Sequence, residues 1–190
     1  MVELIELRNI NQVFGDHLLL ANVNLKVDQG DVLGLMGRSG AGKTTLLRII
    51  LGVYTATSGS VLFKGRRRTS LRKEVGFASQ EDAFYPRLTV EENLIYFGTI
   101  YGISRNAIKR RTPNLLRLMQ LESARKRKAE HLSGGMKRRL GLAIALIHDP
   151  EILILDEPTA GLDIVLQKKI WKMINDIQKE GKTIIVSSHN

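Results

Sequence analysis

The polar and apolar positions along the chain change period several times, and each change marks an element. Residues Val2 to about Val13, and the strict alternation Val23-Asn24-Leu25-Lys26-Val27, carry the two-residue period of half-buried strands, which suits an antiparallel sheet. Gly15-Asp16 breaks the chain between them. Val32-Leu33-Gly34-Leu35-Met36 is a short apolar run that reads as a buried strand, and Thr44 to Leu51 reads as a helix closing at Gly52. Ser58-Gly59 then opens a hairpin-like pair, Ser60 to Phe63 and Val75 to Ala78, joined by a basic loop around Gly65.

Helical character returns from Thr89 to Ile103, where Thr89-Val90-Glu91-Glu92 supplies a capping box, and again from Ile108 to Leu121. Pro113 lies early in that second stretch and sets its start near Thr112, because proline suits the first helical turn. Met136, Leu140, Ala143, Ile144 and Ile147 form one stripe of an amphipathic helix ending near His148-Asp149-Pro150. Ile152-Leu153-Ile154-Leu155 is continuously apolar and ends in Asp156-Glu157, the pattern of a buried parallel strand whose C-terminal end meets a ligand. A further helix, marked by Leu166, Ile170, Met173, Ile174 and Ile177, leads through Gly181 to a last strand, Thr183 to Ser187. Strands alternating with helices, with ligand groups at strand ends, describe an α/β phosphate-binding core.

Composition narrows this picture. With 190 residues and 43% hydrophobic content the chain can bury one substantial core, so residues 1–190 are expected to form a single domain. The longest apolar run, Leu140 to Ile147, is far shorter than the roughly 20 residues that cross a bilayer, so a membrane role is expected to come through a partner. Met1-Val2-Glu3-Leu4-Ile5-Glu6 lacks the basic and apolar regions of a signal peptide, and the absence of cysteine fits the cytosol. A net charge of +10 asks for an anionic neighbour. Its clusters, Arg66-Arg67-Arg68, Lys109-Arg110-Arg111, Arg125-Lys126-Arg127-Lys128 and Lys137-Arg138-Arg139, have no interleaved aromatics, so they read as solvated faces and loops rather than a stacking platform for nucleic acid.

The chemistry is concentrated in Gly37-Arg38-Ser39-Gly40-Ala41-Gly42-Lys43-Thr44, which fits G-x-x-x-x-G-K-[ST], a Walker A phosphate loop, with Thr45 following it into the helix. Glycines let backbone N–H groups turn inward, and the helix mouth adds unpaired N–H groups and a positive dipole end. Lys43 would reach the β- and γ-phosphates, and the Thr44 hydroxyl would ligate Mg²⁺ opposite Asp156. Glu157, the next residue, could polarise the attacking water as general base. Ser133, Gly134 and Gly135 open a helix in the same manner, which makes a second anion-seeking turn.

Taken together, Leu132-Ser133-Gly134-Gly135 one helix before Asp156-Glu157, and Ala160-Gly161-Leu162-Asp163 after it, make the chain resemble the ATP-binding cassette ATPases over essentially its whole length. That resemblance implies a P-loop NTPase core with a mostly parallel central sheet, an N-terminal antiparallel β-subdomain and an inserted helical subdomain at about 88–148. It implies that Phe14 stacks on adenine, that Gln80 senses Mg²⁺ and the γ-phosphate, that His189 contacts the γ-phosphate, and that Asp163 belongs to the D-loop. The Ser133 turn would close on ATP held by a second cassette, giving a nucleotide-dependent dimer. Met136 stands where the family usually has glutamine, Arg38 fills a variable loop position, and family domains normally continue past the histidine with more strand and helix.

The expected function is the ATP-hydrolysing subunit of an exporter, peripheral at the cytoplasmic face of the membrane and driving a separate transmembrane permease subunit. Leu88-Thr89-Val90-Glu91-Glu92-Asn93-Leu94, Ile100-Tyr101-Gly102 and Gly135-Met136-Lys137-Arg138-Arg139 resemble export subunits. The alternative is a soluble cassette acting on nucleic acid or the ribosome, for which only the charge speaks. No Asn-Lys-x-Asp guanine reader is present, which sets GTPases aside.

Overall fold

The computed structural model describes residues 3–67, 71, 73–81 and 83–189. Val2, Arg68 and Asn190, each touched by an expectation above, lie outside the described residues.

Strands β1 (Glu3–Phe14) and β2 (His17–Asp28) pair antiparallel across Gly15-Asp16, with Phe14 opposite His17. Gly15 adopts φ +57° in this two-residue turn, a conformation glycine reaches without a Cβ clash. The N-terminal antiparallel layer is therefore as expected, although β2 starts well before its alternating stretch because Leu18-Leu19-Leu20 carries no polar partner positions. β4 (Ser58–Phe63) lies on the other side of β1 and pairs with the two-residue β5 (Arg66–Arg67), completing the order β2-β1-β4-β5.

The second sheet joins β3 (Val32–Met36), β8 (Thr183–Ser188), β7 (Ile152–Asp156) and β6 (Val75–Ala78) in the order β3-β8-β7-β6, with every pairing parallel. Two expectations change here. Ser60–Phe63 and Val75–Ala78 do not form a hairpin; β6 leaves for the parallel sheet, where an ideal Cβ on Gly76 would lie 2.0 Å from the Ala145 carbonyl oxygen. Only glycine lets strand and helix backbones approach that closely, and this contact outweighs the local turn signal. β3 is not buried on both faces: it lies at the end of the strand order, and Met36 is 74% exposed.

The helices are α1 (Lys43–Ile50), α2 (Val90–Ile100), α3 (Arg105–Leu118), α4 (Gly134–Leu146) and α5 (Ile164–Lys179). Thr89 and Glu92 form the expected capping box at the start of α2. Pro113 does not open α3. The helix begins at Arg105, where the Ser104 hydroxyl accepts the Ala107 N–H at 3.3 Å, and burial of Ile108, Thr112 and Leu116 on one face carries it through the proline. α4 is buried on most of its circumference, with Leu142, Ala145 and Leu146 covered as well as the expected stripe.

The central strands explain the two-sided core. Leu153 and Leu155 of β7 face a cluster built on α4 and α5, whereas Ile152 and Ile154 face a second cluster that contains α1 and the antiparallel sheet. A strand covered on both faces must be apolar at every position, which is why Ile152–Leu155 shows no alternation. α1 is thus clamped between the two sheets through Leu46, Leu47, Ile49 and Ile50, and its N-terminus is fixed at the C-terminal ends of the parallel strands. Among the described residues no helix is long and apolar enough to cross a membrane.

Candidate functional site

Four segments converge at the C-terminal edge of the parallel sheet: the loop between β3 and α1, the turn after β6, and the ends of β7 and β8. The loop is tied to the last strand where the Gly37 N–H donates to the Ser188 carbonyl at 3.3 Å. Gly40 and Gly42 take φ +82° and +89°, and a Cβ on Gly42 would stand 2.7 Å from Leu20 Cδ2. Both conformation and space therefore demand glycine where the chain enters α1. The first N–H groups of α1 have no intrahelical acceptor and point out of this mouth.

Lys43 folds over the loop it terminates. Its ammonium donates to the Gly37 carbonyl at 2.6 Å and the Arg38 carbonyl at 3.1 Å, and it lies 3.6 Å from Glu157 Oε1. Both side chains of that ion pair are nearly covered, at 11% and 13% exposed. Ser39, Gly40, Gly42, Lys43, Thr44, Thr45, Gln80 and Glu157 line one open cleft, so most of the sequence-predicted phosphate loop meets the predicted base and glutamine.

The Asp156 carboxylate, only 3% exposed, accepts the Thr44 hydroxyl at 2.9 Å on Oδ2 and the Ser187 hydroxyl at 2.6 Å on Oδ1. Among the described residues no lysine, arginine or histidine pairs with it. A buried anion held by two neutral hydroxyls is electrostatically incomplete, and a hard divalent cation at the Thr44 side would complete it. The donor set of one hydroxyl and one carboxylate suits Mg²⁺, which takes few protein ligands and shares phosphate oxygens. No cluster of three or more histidine, cysteine or acidic side chains placed to hold a metal ion is present among the described residues.

Glu157 adopts φ +52°, an unusual conformation for a residue with a Cβ, and its N–H donates to Ser187 Oγ at 2.9 Å. This twist turns its carboxylate away from Asp156 and toward the cleft, where Oε1 faces Lys43 and Oε2 is hydrogen-bonded to His189 Nδ1. The histidine thus touches the candidate base itself. A neighbouring pocket runs from Glu157 and His189 past Thr159, Gly161 and Gln167 to Trp171.

Ser187 is the residue sequence reasoning missed. It donates to the Asp156 carboxylate and accepts from the Glu157 backbone N–H, so one hydroxyl ties one carboxylate to the backbone of the next acidic residue. A polar residue at the end of the apolar strand Thr183–Val186, two positions before His189, was the available signal. Leu19, also unforeseen, forms a wall of the cleft.

The remaining expected residues lie elsewhere. Phe14 is 49% exposed at the β1–β2 turn, its ring edge-on to Tyr54 at 6.4 Å, and it is not part of the cleft lining. Arg38 and Ala41 are exposed and outside the cleft lining, and the Arg38 carbonyl accepts from Lys43. Ser133 caps α4 by accepting the Met136 N–H at 3.4 Å; Gly134 is exposed beside it, and a Cβ on Gly135 would meet Leu166 at 3.2 Å. Asp163 caps α5 by accepting the Leu166 N–H at 2.9 Å. None of these last four lines the cleft of its own chain.

The family model described as ABC transporter matches residues 20–160, from β2 through β7 and Glu157 into the turn that follows. The chain belongs to the ABC transporter family. Within this family, the Nod factor export ATP-binding protein I of Cupriavidus metallidurans is 42% identical over 193 aligned positions, which cover 100% of this chain and 64% of that protein. The chain therefore spans less than two thirds of the length of that relative. Among solved structures, cbiO1 from Clostridium perfringens, part of the ABC transporter complex cbiONQ, superimposes with a TM-score of 0.91 at 28% identity, over 100% of this chain and 80% of its own. MJ0796, a bacterial ABC transporter cassette in a dimeric structure, does so at 0.86 with 30% identity, over 98% and 88%. The α/β fold with one antiparallel and one parallel sheet is that of ABC transporter cassettes.

Proposed function

We propose that this chain binds MgATP in the Lys43–Glu157 cleft and hydrolyses it as the energy-supplying cassette of an exporter. The observation that carries this reading is the adjacent acidic pair set against the mouth of α1, the Asp156 carboxylate bonded to the Thr44 hydroxyl and the Glu157 carboxylate facing Lys43. Lys43 exchanges its loop carbonyls for phosphate oxygens, and the N–H groups of the loop and α1 hold the rest of the triphosphate. Magnesium held by Thr44 and Asp156 would neutralise charge developing on the phosphates. Glu157 takes the proton of the attacking water, with His189 fixing the direction of its carboxylate. Gln80 completes the wall beside Thr44, and the exposed Phe14 ring offers a face for a base. Residues 88–148 act as one inserted helical unit of a single domain, 1–190.

Ser133, Gly134, Gly135 and Asp163 lie outside the chain's own cleft, which supports their use against nucleotide on a second cassette. The dimeric structure described for MJ0796 and the complex described for cbiO1 support pairing and a membrane-embedded partner subunit at the cytoplasmic face. The name of the Cupriavidus relative supports export rather than work on nucleic acid. The test is steady-state hydrolysis by the parent and by Glu157→Gln. The variant should retain ATP binding and lose turnover by about 10²- to 10⁴-fold, the usual worth of a general base. Equal rates would overturn the assignment.

A further inference from the structure

Gln80 is exposed at the end of β6, where the chain leaves the sheet, yet its side chain lines the cleft beside Thr44. Something must hold that turn. The guanidinium of Arg138, on α4, donates from Nη1 to the Ser79 carbonyl at 2.9 Å and to the Gln80 carbonyl at 3.0 Å. The Ser79 hydroxyl, in turn, closes the same bend by donating to the Glu81 carbonyl at 2.7 Å. Hydrogen bonds from a charged donor are stronger than neutral ones, and a planar guanidinium fixes direction as well as distance.

Arg138 lies on the helix that Ser133 caps, about one and a half turns from the turn that faces outward. At its far end α4 touches β6 through the glycine contact at Gly76 and Ala145, so helix and strand are packed backbone to backbone there. Arg138 extends that contact to the turn that follows β6, at Ser79 and Gln80. The next residue works elsewhere, since Arg139 donates to the Gly135, Met119 and Gln120 carbonyls and ties α4 to the end of α3.

We infer that Arg138 is a positioning residue that sets the Gln80 side chain against the metal-bound phosphates and makes its placement depend on α4. The inference rests on the cleft being the MgATP site. It predicts that Arg138 acts on the chemistry only through Gln80, whereas Arg139 serves the fold. A lysine at 138 keeps the charge but loses the fixed direction of the planar guanidinium, so it should restore part of the effect.

The experiment is a double-variant cycle on the full chain with Arg138→Met, Arg138→Lys, Gln80→Ala and the pair Arg138→Met/Gln80→Ala, with Arg139→Met as the comparison. Hydrolysis is measured at saturating and limiting MgATP, ATP affinity with and without Mg²⁺ by calorimetry, and the melting midpoint for each. Arg138→Met should lower kcat about tenfold with KM changed less than about threefold, a loss taken from the transition state. It should also shrink the gain in ATP affinity that Mg²⁺ gives. The pair should be no worse than Gln80→Ala alone, and Arg138→Lys should recover part of the loss. Arg139→Met should lower the melting midpoint and leave the Mg²⁺ gain intact. Additive losses in the pair, or equal effects of Arg138→Met and Arg139→Met on the Mg²⁺ gain, would overturn the inference while leaving ATP binding in place. A parent chain that binds no ATP would instead overturn the function proposed above.

Discussion

Thr44 and Asp156, 112 residues apart in sequence, are joined by a hydrogen bond of 2.9 Å between a helix-mouth hydroxyl and a buried carboxylate at a strand end. This one contact brings the phosphate loop against the strand that carries both acidic residues. It predicts that Thr44→Val, which keeps the shape and removes the oxygen, raises the Mg²⁺ concentration for half-maximal ATP binding by about tenfold, near 1.4 kcal/mol. ATP affinity without metal should change little. Calorimetric titrations at a series of Mg²⁺ concentrations separate the two.

Ser187 bonds both the Asp156 carboxylate and the Glu157 backbone N–H, so its loss is expected to be larger than its size suggests. In Ser187→Ala, Asp156 Oδ1 and the Glu157 N–H lose their partner in a buried setting, at a cost of about 2–3 kcal/mol in stability. Denaturant unfolding measures that loss. Turnover should fall as well, because Glu157 is no longer held in its left-handed conformation, and a steady-state rate equal to that of the parent would contradict this role.

At Gly76 the backbone of β6 lies directly against α4. Gly76→Val would place a Cβ within 2.0 Å of the Ala145 carbonyl oxygen and 2.9 Å of Pro150 Cγ, neither of which can swing aside. Backbone displacement on this scale costs about 2–4 kcal/mol, or roughly 5–15 °C in melting midpoint for a domain of this size. A scanning calorimeter reads it directly.

His148 gives the fold a pH dependence. Its ring stacks flat on Tyr101, with centroids 3.8 Å apart, its Nε2 donates to the Val75 carbonyl at 3.1 Å, and its Nδ1 is buried without a partner among the described residues. Burial pushes its pKa below the usual imidazole value, with the Val75 carbonyl and Asp149 opposing the shift and Arg111 and Lys182 adding to it. Between the folded value and the ordinary 6.5, the unfolded chain binds the extra proton, so stability is present at neutral pH and lost as pH falls below about 6.5. His148→Gln should flatten this slope between pH 7.5 and 5.5 in thermal melts; an unchanged slope would assign the effect to other groups.

Much of this was legible in the residues. The phosphate loop, the acidic pair after Ile152–Leu155 and the Thr89–Glu92 capping box are local chemistry, and local chemistry writes itself into short words. What escaped depended on distance. The fate of Val75–Ala78 was decided by helix α4, some seventy residues on, through the absence of a side chain at Gly76. Pro113 misled because burial of Ile108, Thr112 and Leu116 outweighs one missing N–H. Ser187 looked like an ordinary strand residue until folding set it between Asp156 and Glu157. Phe14 has the residue type for a base platform, but only the fold could place its ring beside Tyr54, outside the cleft lining.

The central claim is that the glycine loop and Lys43 grip a magnesium-bound triphosphate, and titration calorimetry of MgATP into the parent chain and into Lys43→Ala tests it most directly. The parent should bind at a single site per chain, and Lys43→Ala should bind at least about tenfold more weakly with its melting midpoint nearly unchanged. Equal affinities for the two, or no heat of binding by the parent, would contradict the account.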